Sequence, residues 1–290
     1  MTSLSRAPAL TPPILRCGSY VLSLERPLIM GVVNVTPDSF SDGGRYLSRD
    51  SAVGHARALI TEGADIIDIG GESTRPGAAA VTLDEERRRV LQVLEALSGC
   101  GVPISVDTRK PALMKDAIAA GASLVNDISA GEEAGALDAI ACSTAGVCLM
   151  HKQGEPQTMQ QRPEYQDVVR EVHDYLAQRL EAALAAGIAR ERIVIDPGFG
   201  FGKTFEHNLA LLRGLSSLMT LGVPVLAGLS RKGMLGRITG REPHERAHAS
   251  VAAALFAAEQ GANILRVHDV AATRDALTVW RALSGRMRVS

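Results

Sequence analysis

Aromatic residues are scarce in this chain of 290 residues: one Trp, four Tyr and five Phe make up 3% of it. Its core must therefore be aliphatic, and at 46% apolar residues that core is large. Neither sign of charge is in excess, since 31 Lys and Arg stand against 32 Asp and Glu. Such a chain offers no broad positive field to nucleic acid or to an anionic membrane surface, so an anionic ligand must be met by a local cluster of cations. Cysteine is limited to Cys17, Cys100, Cys142 and Cys148, with no C-x-x-C spacing. Each lies in or beside an apolar run, which predicts buried free thiols in a reducing compartment and argues against a disulfide framework or a zinc site. No apolar run approaches the ~20 residues of a membrane span, and the N-terminus lacks a charged segment followed by an apolar one. The cytoplasm is the expected compartment. No linker, low-complexity tract or block of like charge marks a second domain.

What the chain does have is alternation. Short β-rich runs at Leu28–Asn34, Asp65–Gly70, Pro103–Asp107, Ser123–Asp127, Gly146–Met150, Arg192–Asp196, Pro224–Gly228 and Ala262–His268 are separated by helical patterns. The clearest helix places Val168, Val172, Tyr175, Leu176, Leu180, Ala183 and Leu184 on one face. Gly63, Gly121, Gly187 and Gly261 stand just before the next strand, where a helix C-terminus favours the left-handed conformation. Eight β–α units with near-continuous apolar strands predict an α/β fold of the TIM (β/α)₈ barrel type, with a doubly wound open sheet as the other arrangement. Ahead of the barrel, Ile14–Cys17 and Tyr20–Leu24 flank Gly18-Ser19 and predict a β-hairpin that plugs the barrel bottom. The division expected is an extension and hairpin over 1–27 and a single barrel domain over 28–290.

In such a barrel the chemistry lies at the C-terminal ends of the strands. Those positions hold Asn34, Asp68, Asp107, Asn126 and Asp196, then Ser230-Arg231-Lys232 past the seventh strand and Arg266 and His268 on the eighth. One Asp at a strand end is a turn former. Three Asp and two Asn at matching ends are a site. Arg266 and His268 are two residues apart on a strand and so face the same side. Just past the first strand, Asn34 to Gly44 crowds an amide, two carboxylates, three hydroxyls and Phe40 into a stretch with glycines and a proline. No packing need explains that composition, which suits an active-site loop.

These residues divide into two chemical sets. Asp and Asn in a dry mouth suit a ligand edge rich in N–H donors, such as an aminopyrimidinone, and reject a ligand lacking that edge. Arg75, Arg266 and His268 suit phosphate oxygens, and Asn34 with Asp42 suits Mg²⁺, which prefers oxygen ligands shared with substrate phosphates. Two other motifs carry less. Asp196-Pro-Gly-Phe-Gly-Phe-Gly-Lys-Thr204 resembles a P-loop, but Pro197 stands where the register requires Gly. His244-Glu-Arg-Ala-His248 matches H-E-x-x-H, yet it follows Pro243 with no third ligand near, and reads as a solvated helix start.

Taken in order, these motifs resemble the dihydropteroate synthase family. The resemblance rests on Met30-Gly-Val-Val-Asn-Val-Thr-Pro-Asp-Ser-Phe-Ser-Asp-Gly-Gly44, Asp68-Ile-Gly-Gly-Glu-Ser-Thr-Arg-Pro-Gly77 and Ser105-Val-Asp-Thr108. It continues through Asn126-Asp127, Leu149-Met-His151 with Gln153-Gly154, Asp196 to Lys203, Ser230-Arg-Lys232 and Arg266-Val-His-Asp269. It implies condensation of 6-hydroxymethyl-7,8-dihydropterin diphosphate with 4-aminobenzoate, with Mg²⁺ as cofactor, sulfonamides as competitors, and a homodimer. It implies pterin contacts at Asp107, Asn126, Met150, Asp196, Gly228 and Lys232, and diphosphate contacts at Asn34, Thr74, Arg75, Arg266 and His268. The 4-aminobenzoate slot falls to Phe40, Asp42, Thr74, Pro76, Phe201, Lys232 and Gly233, and the metal to Asn34 and Asp42. Catalysis falls to Asp107, Asp196, Lys232, Arg266 and His268. Two positions depart from the family pattern: Lys152, where Met often stands, and Gly233, where Ser often supplies a hydroxyl. Two alternatives use the same barrel. A methyltetrahydrofolate–corrinoid methyltransferase has no use for the Ser39–Gly44 loop or the Arg266/His268 pair, and a non-catalytic pterin-binding paralogue predicts their decay. Both features are intact here.

Overall fold

The computed structural model describes residues 13–35, 45–73, 81–154, 158–159, 161 and 163–285. A hairpin comes first, with β1 (Ile14–Cys17) and β2 (Tyr20–Ser23) antiparallel and Cys17 opposite Tyr20 across the Gly18-Ser19 turn. Gly18 has φ +59°, the left-handed region that such a turn favours. Eight parallel strands follow: β3 (Leu28–Asn34), β4 (Ile66–Gly70), β5 (Ile104–Asp107), β6 (Leu124–Asp127), β7 (Gly146–Met150), β8 (Ile193–Asp196), β9 (Leu226–Ala227) and β10 (Ile264–Val267). Their order is β8-β7-β6-β5-β4-β3-β10-β9, and an Ile195–Val225 bridge brings the two edges together. The arrangement is the expected (β/α)₈ barrel.

Every expected strand is present, and the shortest is β9, which keeps two residues of the run at 224–228. Pro224 has no N–H to give a ladder, and Val225 donates instead to the Asn263 side chain at 3.0 Å. Helices fill the intervals, among them α1 (Arg45–Thr61), α2 (Leu83–Ala96), α3 (Pro111–Ala119), α4 (Ala136–Ala141) and α5 (Val168–Ala185). Then come α6 (Phe205–Arg213), α7 (Gly233–Thr239), α8 (Ala247–Glu259) and α9 (Val270–Leu283). The α5 face read from the sequence is buried at Val168, Val172, Leu176, Leu180 and Ala183. Gly63, Gly121, Gly187 and Gly261 all have φ between +91° and +105°, as the helix ends require.

Strand periodicity creates two cores. Outward residues such as Ile29, Ile67, Val106, Val125, Val147 and Ile195 pack against the helices. Inward residues at the lower level, Met30, Ile66, Leu124, Cys148, Val194, Leu226 and Ile264, form a second cluster with Leu15, Cys17 and Leu24 of the hairpin segment. The hairpin therefore closes the barrel bottom. Cys17 and Cys148 are buried there, whereas Cys142 is exposed, so the expectation of burial fails for that thiol. One level up, all but Met150 of the same inward positions turn polar or open: Asp68, Asn126, Asp196, Gly228 and Arg266. That change of chemistry at a constant period of two marks the site.

The H-E-x-x-H residues do not share a helix. Pro243–Glu245 is a 3₁₀ turn, Ala247 begins α8, and His244 and His248 are exposed. No helix among the described residues is long and apolar enough to cross a membrane.

Candidate active site

The mouth is built around Arg266. Its Nε donates to Asp68 Oδ2 at 2.6 Å and its Nη2 to Asp107 Oδ2 at 2.9 Å. Asn126 Nδ2 reaches the same Asp68 oxygen at 3.2 Å. Asp68 is fully buried, one level below the rim, since it pairs with Ser105, whereas Asp107 pairs with Gly70 and Asn126. Asp68 Oδ1 is buried with no partner among the described residues. Burial works against the Arg266 charge, but Asp68 and Asp107 more than offset it and hold the guanidinium protonated. Burial pushes the Asp107 carboxyl up to about 7; Arg266 pulls it down and Asp68 pushes it further up. The structure thus places Arg266 against the donor-reading carboxylates and ties the two chemical sets together.

Asp196 ends β8 and is buried, which raises its pKa against the opposing pull of the Gly198 N–H, Lys232 and Arg266. Gly198 N donates to Asp196 Oδ1 at 2.7 Å and fixes the carboxylate's direction. Gly198 has φ +67°, and a Cβ there would run into the His151 carbonyl oxygen, so only glycine lets this turn pass. The loop then delivers Phe201, which joins Ile128, Met150 and Met159 in a small buried cluster. Lys232 Nζ lies 4.3 Å from the centre of the Phe201 ring. Two residues assigned to the 4-aminobenzoate slot are therefore in contact, with Met150 packed in the same cluster as Phe201.

Lys232 is presented by a strained turn. Arg231, before it, has φ +58°, rare for a non-glycine residue. Its N–H donates to Ser250 Oγ at 2.9 Å, and its guanidinium donates to Asp269 at 2.7 Å. Gly233 opens α7 directly after Lys232, and a Cβ there would meet nothing within 4 Å. Ser230 Oγ lies 2.9 Å from His268 Nδ1 and also accepts from His268 N at 3.2 Å, which sets the imidazole's position. A Cβ added to Gly228 would stand 4.0 Å from Arg266 Cβ, and one on Gly70 would lie 3.9 Å from both Asn34 Oδ1 and Asp107 Oδ2. Both glycines keep the mouth open, and Asn34 and Asp107 flank one point above Gly70. Phe40, Asp42, Thr74, Arg75 and Pro76 lie outside the described residues.

Three features went unread in the sequence. Lys203, met there within a P-loop likeness and a family motif but given no role, is buried and donates to the carbonyls of Gly198 and Phe201 at 3.0 Å and to His151 Nδ1 at 2.8 Å. It staples the loop that carries Phe201, and burial brings its ammonium down to about 7. His151 is held neutral, its pKa lowered to about 3 by burial and then by Lys203. Asp127, next to Asn126, faces outward and accepts from Ser129 N and Gly131 N at 2.8 and 2.7 Å. Its strand parity carried that last signal.

A parallel barrel with buried carboxylates, an amide and clustered cations at its strand ends has the layout of a barrel enzyme with its active site at the mouth. Residues 30–268 match the family described as pterin binding enzyme, and the chain belongs to that family. It is 52% identical over 273 residues to the dihydropteroate synthase of Neisseria meningitidis serogroup C, covering 92% of this chain and 96% of that one. The dihydropteroate synthase of Xanthomonas albilineans, solved with 4-aminobenzoic acid, is 55% identical with a TM-score of 0.90, covering 94% of this chain and 99% of that one. That of Burkholderia cenocepacia, solved with 7,8-dihydropteroate, is 52% identical with a TM-score of 0.86, covering 94% of this chain and 97% of that one.

Proposed function

We propose that this chain condenses 6-hydroxymethyl-7,8-dihydropterin diphosphate with 4-aminobenzoate to give 7,8-dihydropteroate and diphosphate. The observation that carries the reading is the buried trio Asp68, Asn126 and Asp196, with the half-buried Asp107 and Arg266 at the mouth, beside the Lys232–Phe201 contact. Asp196, already oriented by Gly198, accepts from the pterin ring N3–H and 2-amino group, and Lys232 donates on the O4/N5 side. Asp107 and Asn126 complete the ring's polar edge.

Chemistry begins with departure of the leaving group. The bond between the pterin methylene carbon and the diphosphate oxygen breaks, and its electron pair leaves with the oxygen. Positive charge grows on the methylene, where Asp107 and Asp196 supply negative potential in a dry site. That charge favours ionised Asp107 over the protonated form that burial promotes. The free lone pair of the arylamine then forms the C–N bond, and its proton passes to solvent. No general base is required before attack. Arg266 and His268 counter the charge developing on the diphosphate.

Mg²⁺ is the cofactor this reading calls for. Asn34 offers a neutral amide oxygen beside the Asp107 carboxylate at the rim, a donor type that suits a hard cation bound chiefly through substrate phosphates. Asn34 and Asp42 would hold it, and when bound it supplies charge neutralisation on the diphosphate. Free thiols at Cys17 and Cys148 support a reducing, cytoplasmic setting.

The test supplies both substrates and Mg²⁺ to the purified chain and follows diphosphate and 7,8-dihydropteroate together. Product should require 4-aminobenzoate, and a sulfonamide should raise the apparent KM for that substrate. Absence of 4-aminobenzoate-dependent product rejects the reading.

A further inference from the structure

Beneath the rim of the mouth, two polar side chains take no part in the chemistry above. Asp68 on β4 and Ser105 on β5 are both fully buried and are paired in register. Paired residues on neighbouring parallel strands point the same way. Ser105 is also paired with Leu124 of the lower inward cluster, so both side chains face the barrel axis. Asp68 Oδ2 takes two donors, Arg266 Nε at 2.6 Å and Asn126 Nδ2 at 3.2 Å. Asp68 Oδ1 and Ser105 Oγ have no hydrogen-bond partner among the described residues. A buried polar atom left unpaired is costly, and two in adjacent places are relieved by one shared water. The spacing suits it. Neighbouring strands stand about 4.8 Å apart, and a water at about 2.8 Å from each atom spans up to about 5.6 Å.

The two bonds at Oδ2 have a directional consequence. A carboxylate accepts and does not donate, so Asp68 meets the nitrogen of the Asn126 amide and not its oxygen. By holding Nε of Arg266 it also turns the guanidinium so that Nη2 reaches Asp107, one level up. An amide at position 68 would offer a donor and an acceptor and would fix neither partner. Arg266 keeps 22% of its side chain exposed and Asp68 none, so Asp68 acts on a ligand in the mouth only through its partners.

We propose that Asp68 is a positioning residue that orients Arg266 and Asn126 from below, and that Asp68 Oδ1 and Ser105 Oγ together hold one buried water that fixes the carboxylate's own direction. The consequence for the pterin diphosphate rests on the synthase reading. The water and the orientation rest on strand register and hydrogen bonds alone.

A crystal structure at a resolution that orders buried water should show one water within about 3.2 Å of both Asp68 Oδ1 and Ser105 Oγ. A direct contact between the two, or no water there, overturns the proposal. In NMR spectra of the intact chain, the Arg266 Nε–H is assigned by its loss in Arg266→Lys. Its exchange with solvent should be roughly 10-fold faster in Asp68→Asn than in the wild type, the scale of one charge-assisted hydrogen bond. The same variant should raise KM for the pterin diphosphate roughly 10- to 100-fold, as a small misplacement of binding groups does. KM for 4-aminobenzoate should stay within about twofold, a split that general destabilisation does not produce. Phe201 follows β8, and in the order β8-β7-β6-β5-β4 the strand of Asp68 lies on the opposite wall of the barrel. Ser105→Ala removes the water's second anchor and should raise the pterin KM roughly 2- to 10-fold. It keeps the test alive if Asp68→Asn fails to fold. An unchanged pterin KM in the variants that fold, or an equal rise for 4-aminobenzoate, overturns the positioning role. If the wild type makes no 7,8-dihydropteroate, the synthase reading fails, and the water and the Nε–H exchange alone decide whether Asp68 orients Arg266.

Discussion

Arg266 illustrates how far a residue can be read before its neighbours are known. Its place on the last strand, two positions before His268, was enough to aim it at the mouth. Its partners were not legible, because Asp68 lies 198 positions away in sequence and Asp107 lies 159 away. Only barrel closure brings them together. Lys203 was hidden for the opposite reason: its role depends on carbonyls exposed by the glycine turn at Gly198–Gly202, which no side-chain pattern announces. Arg266 forks to two carboxylates and also faces charge growing on the leaving group. Arg266→Ala should therefore lower kcat/KM by roughly 10²–10³, the scale for losing one preorganised charge-stabilising group. Circular dichroism on the same sample checks that the variant is folded, because the change leaves the buried Asp68 and the half-buried Asp107 without their cation. A folded variant that loses less than about threefold removes Arg266 from the chemistry.

Elements were more legible than residues. Alternation of apolar strands with helical faces, punctuated by left-handed glycines, predicted all eight barrel strands and the hairpin, with boundaries shifting by one or two residues. Where local rules competed, backbone chemistry won. The H-E-x-x-H run breaks into a 3₁₀ turn and a helix, since Arg246 between them donates to the Arg241 and Arg231 carbonyls at 2.8 and 3.1 Å. The hairpin's docking follows from its alternation, which turns Leu15 and Cys17 toward the barrel interior. Leu15 is fully buried against the lower inward cluster, at the end of the barrel away from the mouth. Leu15→Ala should cost ~2–5 kcal/mol of unfolding free energy, as large-to-small changes in cores do. Well below the melting temperature, kcat/KM should equal that of the wild type, since the lower end of a barrel serves stability. Urea denaturation and kinetics on one preparation check both halves, and a drop in kcat/KM without unfolding would overturn the separation.

At the scale of the whole molecule, the barrel is apolar below and strained by charge above. Asp68, Asp107 and Asp196 share the mouth with Arg266, and burial raises both Asp107 and Asp196 despite that cation. Such a mouth suits the positive charge of a reacting pterin better than it suits the empty protein, a trade of stability for function. The consequence has a definite sign. The Asp107 carboxyl is pushed from an ordinary 3.8 to about 7, so the folded chain holds that proton more tightly than the unfolded chain does. This contribution to stability is fully present below about pH 3.8 and is lost as pH rises through about 7. Asp107→Asn removes the titration, keeps an oxygen that can accept from Arg266 Nη2, and no longer pays for a buried charge. Relative to wild type, its Tm should therefore be higher at pH 8 than at pH 5, even as kcat/KM falls for want of the carboxylate. Thermal melts of both proteins at the two pH values decide the matter. If the difference in Tm fails to grow between pH 5 and pH 8, Asp107 is not the group that burdens the folded state, and the charge strain belongs to Asp196 or is relieved by Arg266 alone.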